Sequence, residues 1–536
     1  MNRIESCITP GGTFKYGIHK PSFSVKNLRG KTKTDTLGLD NDGQYVDNTI
    51  NYPQSDLVIA ETDWIYEVPN PLPFRGRTYI NKRWADASAE NIGNIKIPEP
   101  PQVSLSNCLK QSKAGSELFR SLPVPLLLAL ATTSTDPEDL RRLAEISCEF
   151  TSRDDGGLGL RYHKDPSGRM RAVIHDFELF EAVANNPFLP GAYKIAMVIR
   201  PGAQGASEIV GEYRAADHTH VFEYLRRNSY ISGGHYAANM ADDAIRYSID
   251  DLSEQDFHGL RHLYYQRTYV RLATQLGITA GIEQQRTLNA AELEELRLSI
   301  IGALAGCSDR VATLWGWNFG FDYAPTRYRL HASHQQIHQQ YAIIPDRIEA
   351  FTSGTKDSCG TISAYSCGDL VTQVIEEYRQ QYQSDFFTDY LQAIRTNRRM
   401  DDHPDKEASL VIYSDDNVMV FVPKAQTSQW EIQLMTLPRK DGNAPGNLIE
   451  CDADTRYSVD QGILNAQRAL ASLGAKMVTT IEYSKRIGKT PVLNQPLMYG
   501  LMPRLPESPG AFSEAQLRFI NGHYPEDFAL ALRNCL

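Results

Sequence analysis

A pair of adjacent aspartates between two short apolar runs constrains the fold of this chain more than any other feature. Residues 410–422 read LVIYSDDNVMVFV, so two candidate strands flank a polar turn that contains Asp415 and Asp416. This pattern predicts a hairpin whose flanking strands hold both carboxylates rigidly at its tip. Mg2+ takes oxygen ligands and tolerates little misplacement, so the tip suits a divalent metal. Taken alone, the segment is equally compatible with a hairpin whose tip is only hydrophilic.

Composition limits the classes of protein to which the chain can belong. Its 536 residues, 41% of them hydrophobic, are enough for several domains or one large multi-lobed enzyme. The net charge of -10 argues against non-specific coating of nucleic acid, which needs a basic surface. The eight cysteines form no C-x-x-C pair, which argues against a zinc ribbon and favours a reducing compartment. No apolar run reaches the roughly 18 residues of a membrane span, which predicts a soluble protein.

The residue pattern predicts a mixed chain in which long helical insertions separate a few strands. The Gly-, Pro- and Asn-rich first 110 residues predict irregular structure that wraps other parts. Strands are predicted at 193–199, 244–250, 409–413, 418–422, 430–436 and 477–483. Helices are predicted at 115–150, 287–305 (with a capping box of Asn289 and Glu292), 327–342, 361–383, 384–398, 459–473 and 513–533.

A second candidate segment lies upstream of the hairpin. Residues 244–257 read AIRYSIDDLSEQDF, and the predicted strand ends at Asp250 and Asp251. A strand-end aspartate projects into the cleft at a sheet edge, and Asp256 would lie one turn later above the same site. The D-x-x-x-x-D spacing also arises by chance in an acidic chain.

A third candidate segment lies between these two. Residues 351–374 read FTSGTKDSCGTISAYSCGDLVTQV, in which Ser353 and Gly354 begin a predicted flexible loop. An amphipathic helix is predicted from about Thr361. A glycine-containing loop before a helix allows a sugar or phosphate to approach amides and hydroxyls closely. The alternative is an ordinary helix start with Ser/Thr capping.

In this order the three segments resemble motifs A, B and C of the right-hand palm of viral RNA-dependent RNA polymerases. The Ser-Asp-Asp turn is similar to that of double-stranded RNA virus enzymes, cystovirus polymerases in particular. Residues 224–239, YLRRNSYISGGHYAAN, look like the arginine-pair, double-glycine segment that precedes motif A there. The chain departs from the family at Ser358, where many relatives carry Thr. It departs again at Ile362, where many have the Asn that helps to sense the ribose.

The resemblance implies an α+β right-hand polymerase with fingers, an antiparallel-sheet palm and a small thumb. It divides the chain into an N-terminal region and fingers (1–240), palm (241–261), a fingers insertion (262–350), palm (351–500) and a C-terminal thumb element (501–536).

The activity that the resemblance implies is RNA-directed RNA synthesis for viral genome replication and transcription. Asp251, Asp415 and Asp416 would hold two Mg2+ or Mn2+ ions that activate the RNA 3′-hydroxyl and neutralise the triphosphate. The implied partners are RNA template and product, NTPs and viral capsid proteins, with no membrane. The implied location is the virion interior and the host cytoplasm.

The resemblance also implies a set of NTP- and RNA-binding residues. Guanidinium groups bind phosphate oxygens in pairs, so the arginine pair would hold the β and γ phosphates. The run KIAMVIRPG (194–202) would form a fingers strand that turns Lys194 and Arg200 toward phosphates, and the alternative is an ordinary strand with solvated ends. The set is Arg226, Arg227, Lys194, Arg200, Asp256, Ser353, Gly354 and Ser358, with Lys476, Lys485 or Lys489 as the proton donor to pyrophosphate.

Two other functions remain open at this point. A reverse transcriptase shares the Tyr-x-Asp-Asp hairpin, but those enzymes usually carry Pro-Gln-Gly where this chain has TSGTKDS. A capsid or nucleic-acid-binding protein with an incidental acidic hairpin would need no Mg2+.

A histidine-rich segment offers a further metal candidate. His331, His334 and His338 would share one face of the helix predicted at 327–342. Zinc needs a fourth ligand and supporting hydrogen bonds, so a polar face or core packing is the alternative.

Overall fold

The computed structural model describes most of the chain. The described residues are 4–28, 36–60, 62–73, 75–99, 101–112, 117–154, 156–168, 170–186, 188–194, 196–197, 202–204, 207–209, 248–278, 286–304, 310–320, 338–488, 493–505 and 511–536.

The described part combines many short strands with helices of up to 22 residues. In chain order the strands are β1 (Ile8–Thr9), β2 (Thr13–Phe14), β3 (Gly17–His19), β4 (Phe23–Val25), β5 (Thr36–Leu39), β6 (Tyr45–Asp47), β7 (Leu57–Ile59), β8 (Ile65–Asn70), β9 (Gly76–Asn81), β10 (Phe150–Ser152), β11 (Leu158–Leu160), β12 (Tyr162–Lys164), β13 (Met170–Ala172), β14 (Gly202–Gln204), β15 (Ser207–Ile209), β16 (Val311–Gly320), β17 (His338–Pro345), β18 (Arg347–Phe351), β19 (Ser358–Ser363), β20 (Val411–Ser414), β21 (Val418–Phe421), β22 (Ile432–Thr436), β23 (Met477–Tyr483), β24 (Met498–Pro503) and β25 (Arg518–Asn521).

The helices lie between and around these strands. They are α1 (Lys82–Glu90), α2 (Leu105–Ser112), α3 (Glu117–Arg120), α4 (Val124–Thr133), α5 (Pro137–Ser147), α6 (Phe177–Ala184), α7 (Gly191–Lys194), α8 (Glu254–Gln275), α9 (Ala290–Leu304), α10 (Cys367–Tyr382), α11 (Phe386–Arg395), α12 (Ala453–Ser472), α13 (Ala511–Gln516) and α14 (Pro525–Arg533), with short 3-10 turns at Thr49–Asn51, Ile92–Asn94 and Ile249–Asp251.

A seven-stranded antiparallel sheet forms the centre, in the order β17-β16-β23-β24-β22-β21-β20. Successive side chains of a strand point to opposite faces, so the side chains of β21 contribute alternately to two hydrophobic cores. Val418 and Val420 pack toward Gly462 of α12. Met419 and Phe421 belong to the other cluster, with α10 and α11. Because helices cover both faces, every residue of β21 and β22 is buried, and the β21 sequence is apolar throughout rather than alternating.

A second sheet joins the two ends of the chain, in the order β25-β9-β8-β3. Strand β25 runs parallel to β9, with Arg518 opposite Arg77. The prediction of irregular structure for the first 110 residues is therefore wrong over β8, β9 and α1. The helix predicted at 513–533 is also interrupted, because Leu517 adopts a left-handed conformation (φ 51°) and the chain then enters β25.

Most of the strands and helices that the sequence predicts in the second half of the chain are confirmed. The strands predicted at 409–413, 418–422, 430–436 and 477–483 are confirmed as β20 to β23, apart from their exact ends. The helices at 287–305, 384–398 and 459–473 are confirmed as α9, α11 and α12, and Asn289 and Glu292 exchange backbone-to-side-chain hydrogen bonds of 2.9 and 2.8 Å.

Three local predictions are wrong. A helix, α7, occupies the start of the strand predicted at 193–199. Strand β17 occupies the end of the helix predicted at 327–342, because β16 supplies it with an eight-residue antiparallel partner. Residue Thr361 lies in β19, and the following helix begins only at Cys367.

No helix in the described ranges combines the length and apolar character needed to cross a membrane.

A buried arginine fastens α8 to α12 and to the central sheet. Arg261 is 0% exposed and donates from Nε to Asp460 Oδ1 at 2.7 Å. Its Nη2 donates to the hydroxyls of Tyr265 and Tyr499 at 2.9 and 3.1 Å. The guanidinium carbon lies 4.4 Å from the centroid of the Trp315 ring. An aromatic cage with a single carboxylate thus neutralises and covers this charge.

The imidazole of His523 is buried where α14 meets the loop before β22. Its Nε2 hydrogen-bonds the carbonyl of Gln429 at 2.8 Å, and its ring packs 5.0 Å from those of Trp430 and Phe528. Burial lowers the pKa of His523 from 6.5 to about 4, because the charged form loses its hydration.

This burial predicts a loss of stability in mild acid. Between pH 4 and 6.5 the unfolded chain binds a proton at this residue that the folded chain does not. The free energy of unfolding should therefore fall as pH drops from 6.5 toward 4, by up to about 1.4 kcal/mol per unit. Urea unfolding at pH 7 and 5 measures the change. His523→Gln should reduce the pH dependence, and His163→Gln, at an exposed histidine of β12, should not. Equal pH dependence in all three proteins would contradict the prediction.

Candidate functional site

The predicted aspartate hairpin is present, and it lies at the edge of the central sheet. Strands β20 and β21 pair antiparallel, with Ser414 opposite Met419. The backbone N–H of Asp415 donates to the carbonyl of Val418 at 3.1 Å, and the Ser414 hydroxyl donates to the same carbonyl at 3.0 Å. The turn is thus closed by its own polar residues, as the sequence pattern predicts.

The two aspartates of the turn have different surroundings. Asp415 Oδ1 accepts hydrogen bonds from the backbone N–H groups of Asn417 and Val418, both at 2.8 Å, and Oδ2 accepts from the Tyr413 hydroxyl at 3.2 Å. Burial and the neighbouring carboxylate raise the pKa of Tyr413, which keeps its phenol a donor. Asp416 is exposed at the apex. The tip therefore presents one fixed carboxylate and one solvated carboxylate side by side.

The first turns of α12 lie beside the hairpin. Asn417 Nδ2 donates to Ser458 Oγ at 3.1 Å, which ties the turn to the helix. The adjacent Tyr457 is 57% exposed, and its ring stacks on that of His258 at 5.1 Å and 4°. Neither Tyr457 nor His258 was predicted as a site residue. Tyr457 precedes residue 459, at which the helix was predicted to begin. The available signal was an aromatic residue at an outward position of a helix that is otherwise largely buried.

The segment that carries Asp251 contacts α12 at two levels. It ends the 3-10 turn Ile249–Asp251, and the next carbonyl, of Leu252, accepts from Arg468 Nη2 at 3.5 Å. Ser458 and Arg468 are ten residues apart, about 15 Å along a helix axis. Glu254, three residues after Asp251, accepts from Gln461 Nε2 at 2.7 Å, so the start of α8 also contacts the end of α12 that holds the hairpin.

The ribose contact predicted for Asp256 needs correction. Asp256 is 0% exposed and forms a capping box with Ser253 at the start of α8. Its Oδ2 accepts from the Ser253 hydroxyl at 2.6 Å and from the Ser253 backbone N–H at 3.2 Å. A carboxylate three residues into a helix stabilises the unpaired N–H groups of the first turn. The observed role of Asp256 is thus helix capping, away from solvent.

The predicted sugar- or phosphate-binding loop is the turn of an exposed hairpin. Strands β18 and β19 pair antiparallel, and Ser353 and Gly354 lie in the turn between them, with Gly354 at φ 86°. Ser358 begins β19, and its hydroxyl donates to the carbonyl of Gly360 at 3.1 Å. The helix begins at Cys367 with a capping box of Ser366 and Asp369. The prediction required these serines and the glycine to lie directly before a helix N-terminus. In the structure β19 separates the turn from the helix, so this prediction is wrong.

Two of the predicted lysines contact side chains outside the hairpin. Lys194, 7% exposed, ends α7. Lys485 Nζ lies 2.8 Å from Glu450 Oε1, and Lys476 Nζ lies 6.0 Å from the Phe188 ring centroid. His338 begins β17. The other predicted basic residues lie outside the described residues: Arg200, Arg226, Arg227, His331, His334 and Lys489.

Metal ligands in the described ranges do not gather into groups of three or more. Within those ranges, no three His, Cys, Asp or Glu side chains lie close enough together to hold a metal ion. Among the described residues, a cation at the hairpin tip would therefore have only the two adjacent aspartates as carboxylate ligands.

Comparison with known proteins gives weak structural similarity and no sequence family. No family model matches the chain, and no curated protein matches it. A GalT-like protein from Arabidopsis thaliana is 11% identical, with 46% of this chain and 70% of that chain covered and a TM-score of 0.30. A uridylyltransferase mutant is 12% identical, with 48% and 76% covered and a TM-score of 0.31. An ADP-glucose phosphorylase from A. thaliana, solved with ADP-glucose, is 11% identical, with 46% and 66% covered and a TM-score of 0.29.

These comparisons correct the polymerase interpretation. The similar structures are a GalT-like protein, uridylyltransferases and an ADP-glucose phosphorylase, and none of these is a polymerase. The identification as a viral RNA-dependent RNA polymerase is therefore wrong, as are RNA-directed RNA synthesis and a double-stranded RNA virus origin. The similarity at these TM-scores assigns no activity in its place.

Proposed function

We propose that this chain is an enzyme that transfers a nucleotidyl group, with a divalent cation, Mg2+ or Mn2+, held at the hairpin tip. One observation carries the proposal. Two backbone N–H groups fix the carboxylate of Asp415, while the neighbouring Asp416 is solvated and open to a ligand. A rigid and an open carboxylate on adjacent residues suit a cation that must be positioned and must also reach a substrate phosphate.

The donor set fits such a cation. A carboxylate oxygen has two lone pairs, so Asp415 Oδ2 keeps one free beside its single bond from Tyr413. No hydrogen bond from the described residues engages Asp416, so both its oxygens can serve as ligands. Mg2+ is commonly held by one or two carboxylates together with substrate phosphates and waters, and does not need a cage of three protein ligands.

The proposed reaction is displacement at the α-phosphorus of a nucleoside triphosphate. An acceptor oxygen bonds to that phosphorus, the bond to the bridging oxygen breaks, and pyrophosphate leaves with the electron pair while solvent takes the acceptor proton. The bound cation would neutralise the charge that develops on the phosphate oxygens. Asp415 and Asp416 would orient the triphosphate beside the hairpin.

The exposed ring of Tyr457 supplies a place for the base. Its partner His258 covers one side, and more than half of the side chain remains exposed. Stacking of a base on an aromatic ring contributes about 1–3 kcal/mol without selecting one base. This ring near the hairpin therefore suits a nucleotide better than a simple phosphate ester.

A direct assay tests the proposal. Purified protein is incubated with each NTP, with a hexose phosphate or an oligonucleotide as acceptor, and pyrophosphate release is measured. We expect release that requires Mg2+ or Mn2+ and stops when EDTA is added. Release of inorganic phosphate alone would indicate hydrolysis at the γ-phosphorus and contradict nucleotidyl transfer. Absence of pyrophosphate release with every NTP and both metals would also contradict it.

A further inference from the structure

A basic cleft lies between the two ends of the chain, where β9 and β25 meet. It has a volume of about 460 Å³ and is lined by residues that include Glu5, Arg75, Arg77 and Arg518. We call these three arginines with Glu5 the arginine cleft. Its volume falls within the roughly 300–1,000 Å³ of small-molecule sites.

The sheet register places two of the arginines side by side. Arg77 and Arg518 are register partners on neighbouring parallel strands, so their side chains leave the same face. Like charges directly opposite each other on neighbouring strands destabilise a sheet unless something neutralises them. Arg77 is neutralised by Glu5 and by Glu67, whose Oε1 lies 3.0 Å from Arg77 Nε.

The other two arginines have only neutral partners within the described ranges. Arg75 Nη2 donates to the amide oxygen of Gln373 at 3.0 Å, and its Nε is buried without a hydrogen-bond partner. Arg518 Nη1 donates to the Tyr79 hydroxyl. A buried N–H without an acceptor is costly, and a ligand oxygen would satisfy it. Two guanidinium groups of the arginine cleft thus have no carboxylate partner among the described residues.

The backbone is arranged to bring these groups together. Arg77 N–H donates to the carbonyl of Leu517 at 2.9 Å, which sets β25 against β9. A Cβ on Gly76 would lie 2.0 Å from that same carbonyl oxygen, so only glycine permits the approach. Leu517 itself holds a left-handed conformation (φ 51°), which is strained for a residue with a side chain. Such strain persists where the surrounding structure imposes it, often at binding sites.

We propose that the arginine cleft binds a polyphosphate chain, that of a nucleoside triphosphate or of inorganic polyphosphate. Guanidinium groups bind phosphate oxygens through paired N–H donors, and three of them around one opening match a ligand with several adjacent phosphates. This proposal is independent of the nucleotidyl transfer proposed at the hairpin, because it rests on different residues.

Isothermal titration of the full chain with inorganic tripolyphosphate and with ATP, in low salt without divalent cations, tests the proposal. We expect saturable binding of tripolyphosphate that weakens as KCl is added. Arg75→Gln combined with Arg518→Gln should weaken it at least about tenfold, since two charged contacts are lost. Arg83→Gln is the matched control, because Arg83 is exposed on α1 and pairs with Asp63 outside the cleft.

The possible results distinguish a nucleotide site from an inorganic polyphosphate site, and two of them would contradict the proposal. Tighter binding of ATP than of tripolyphosphate would identify a nucleotide site, and equal or weaker binding of ATP would identify an inorganic polyphosphate site. A double variant that binds as tightly as the parent protein would overturn the proposal, as would no saturable binding of either ligand. Circular dichroism and thermal melting verify that the double variant is folded. If the double variant is not folded, binding is measured with the milder Arg75→Lys instead. This variant keeps the charge but loses the paired N–H donors, so it should still bind tripolyphosphate more weakly than the parent protein.

Discussion

Replacing Arg261 with methionine is expected to lower the free energy of unfolding by about 3–5 kcal/mol. The substitution keeps most of the side-chain volume but removes the charge that Asp460 requires, and Asp460 is itself buried. An unpaired buried carboxylate is costly because it has lost its hydration without gaining a counter-ion. The same substitution removes the two hydrogen bonds that Arg261 donates to the hydroxyls of Tyr265 and Tyr499. Equilibrium urea unfolding of parent and variant gives the difference.

Two further variants make the result specific. Arg271→Met applies the same substitution at an exposed position of the same helix, and it should change stability by no more than about 0.5 kcal/mol. Adding Asp460→Asn to Arg261→Met removes the stranded charge and should recover part of the loss. If Arg261→Met stays within about 1 kcal/mol of the parent, the cage around the guanidinium is not a major source of stability.

Changing Asp415 to asparagine is expected to abolish metal-dependent pyrophosphate release. The asparagine oxygen can still accept from the backbone N–H groups of Asn417 and Val418, so the turn should survive. The negative charge that holds the cation is lost. A metal-binding carboxylate contributes to charge neutralisation in the transition state, and its loss should lower kcat about a thousandfold, near 4 kcal/mol.

The control for this variant is an aspartate in a similar turn elsewhere. Asp441 is exposed, and its Oδ1 accepts from the backbone N–H two residues later at 3.0 Å, as that of Asp415 does at 2.8 Å. Asp441→Asn should therefore leave pyrophosphate release unchanged. Activity of Asp415→Asn within tenfold of the parent would remove Asp415 from the catalytic machinery.

The features that the sequence predicts well are those with local causes. The hairpin at 410–422 follows from two apolar runs and a polar turn, and both its strands and its turn are observed. The capping box of Asn289 and Glu292 follows from side chains three residues apart, and it is also observed. Contacts between near neighbours decide these elements, and near neighbours are what a sequence displays directly.

The features that it misses depend on residues far apart in the chain. Strand β25 exists because β9, about 440 residues earlier, offers it a parallel partner. Strand β17 exists because β16 pairs with it over eight residues. Pairing of this kind overrides the local pattern, which at 327–342 favoured a helix. The Arg261 cage likewise joins residues of α8, α12 and β24 that no spacing relates.

The candidate site was predicted only in part for a related reason. An aspartate three residues into a helix serves equally as a cap, and Asp256 does so. Short motifs in the right order suggested a polymerase, yet each motif taken alone has a common structural alternative. In the structure, two of the three take that alternative: the Ser353 segment is an exposed hairpin turn, and Asp256 is a cap. Only the Asp415 and Asp416 hairpin keeps the geometry that its sequence predicts.

Binding of Mn2+ is the most direct test of the claim that the hairpin tip holds a catalytic cation. Free Mn2+ is measured by electron paramagnetic resonance as it is titrated into the parent protein, Asp415→Asn and Asp441→Asn, each with a non-hydrolysable NTP analogue present. The parent and Asp441→Asn should bind Mn2+ with equal affinity, and Asp415→Asn should bind it at least about tenfold more weakly. Equal affinity in all three proteins would show that the cation does not bind at this hairpin, and the proposed site would be wrong.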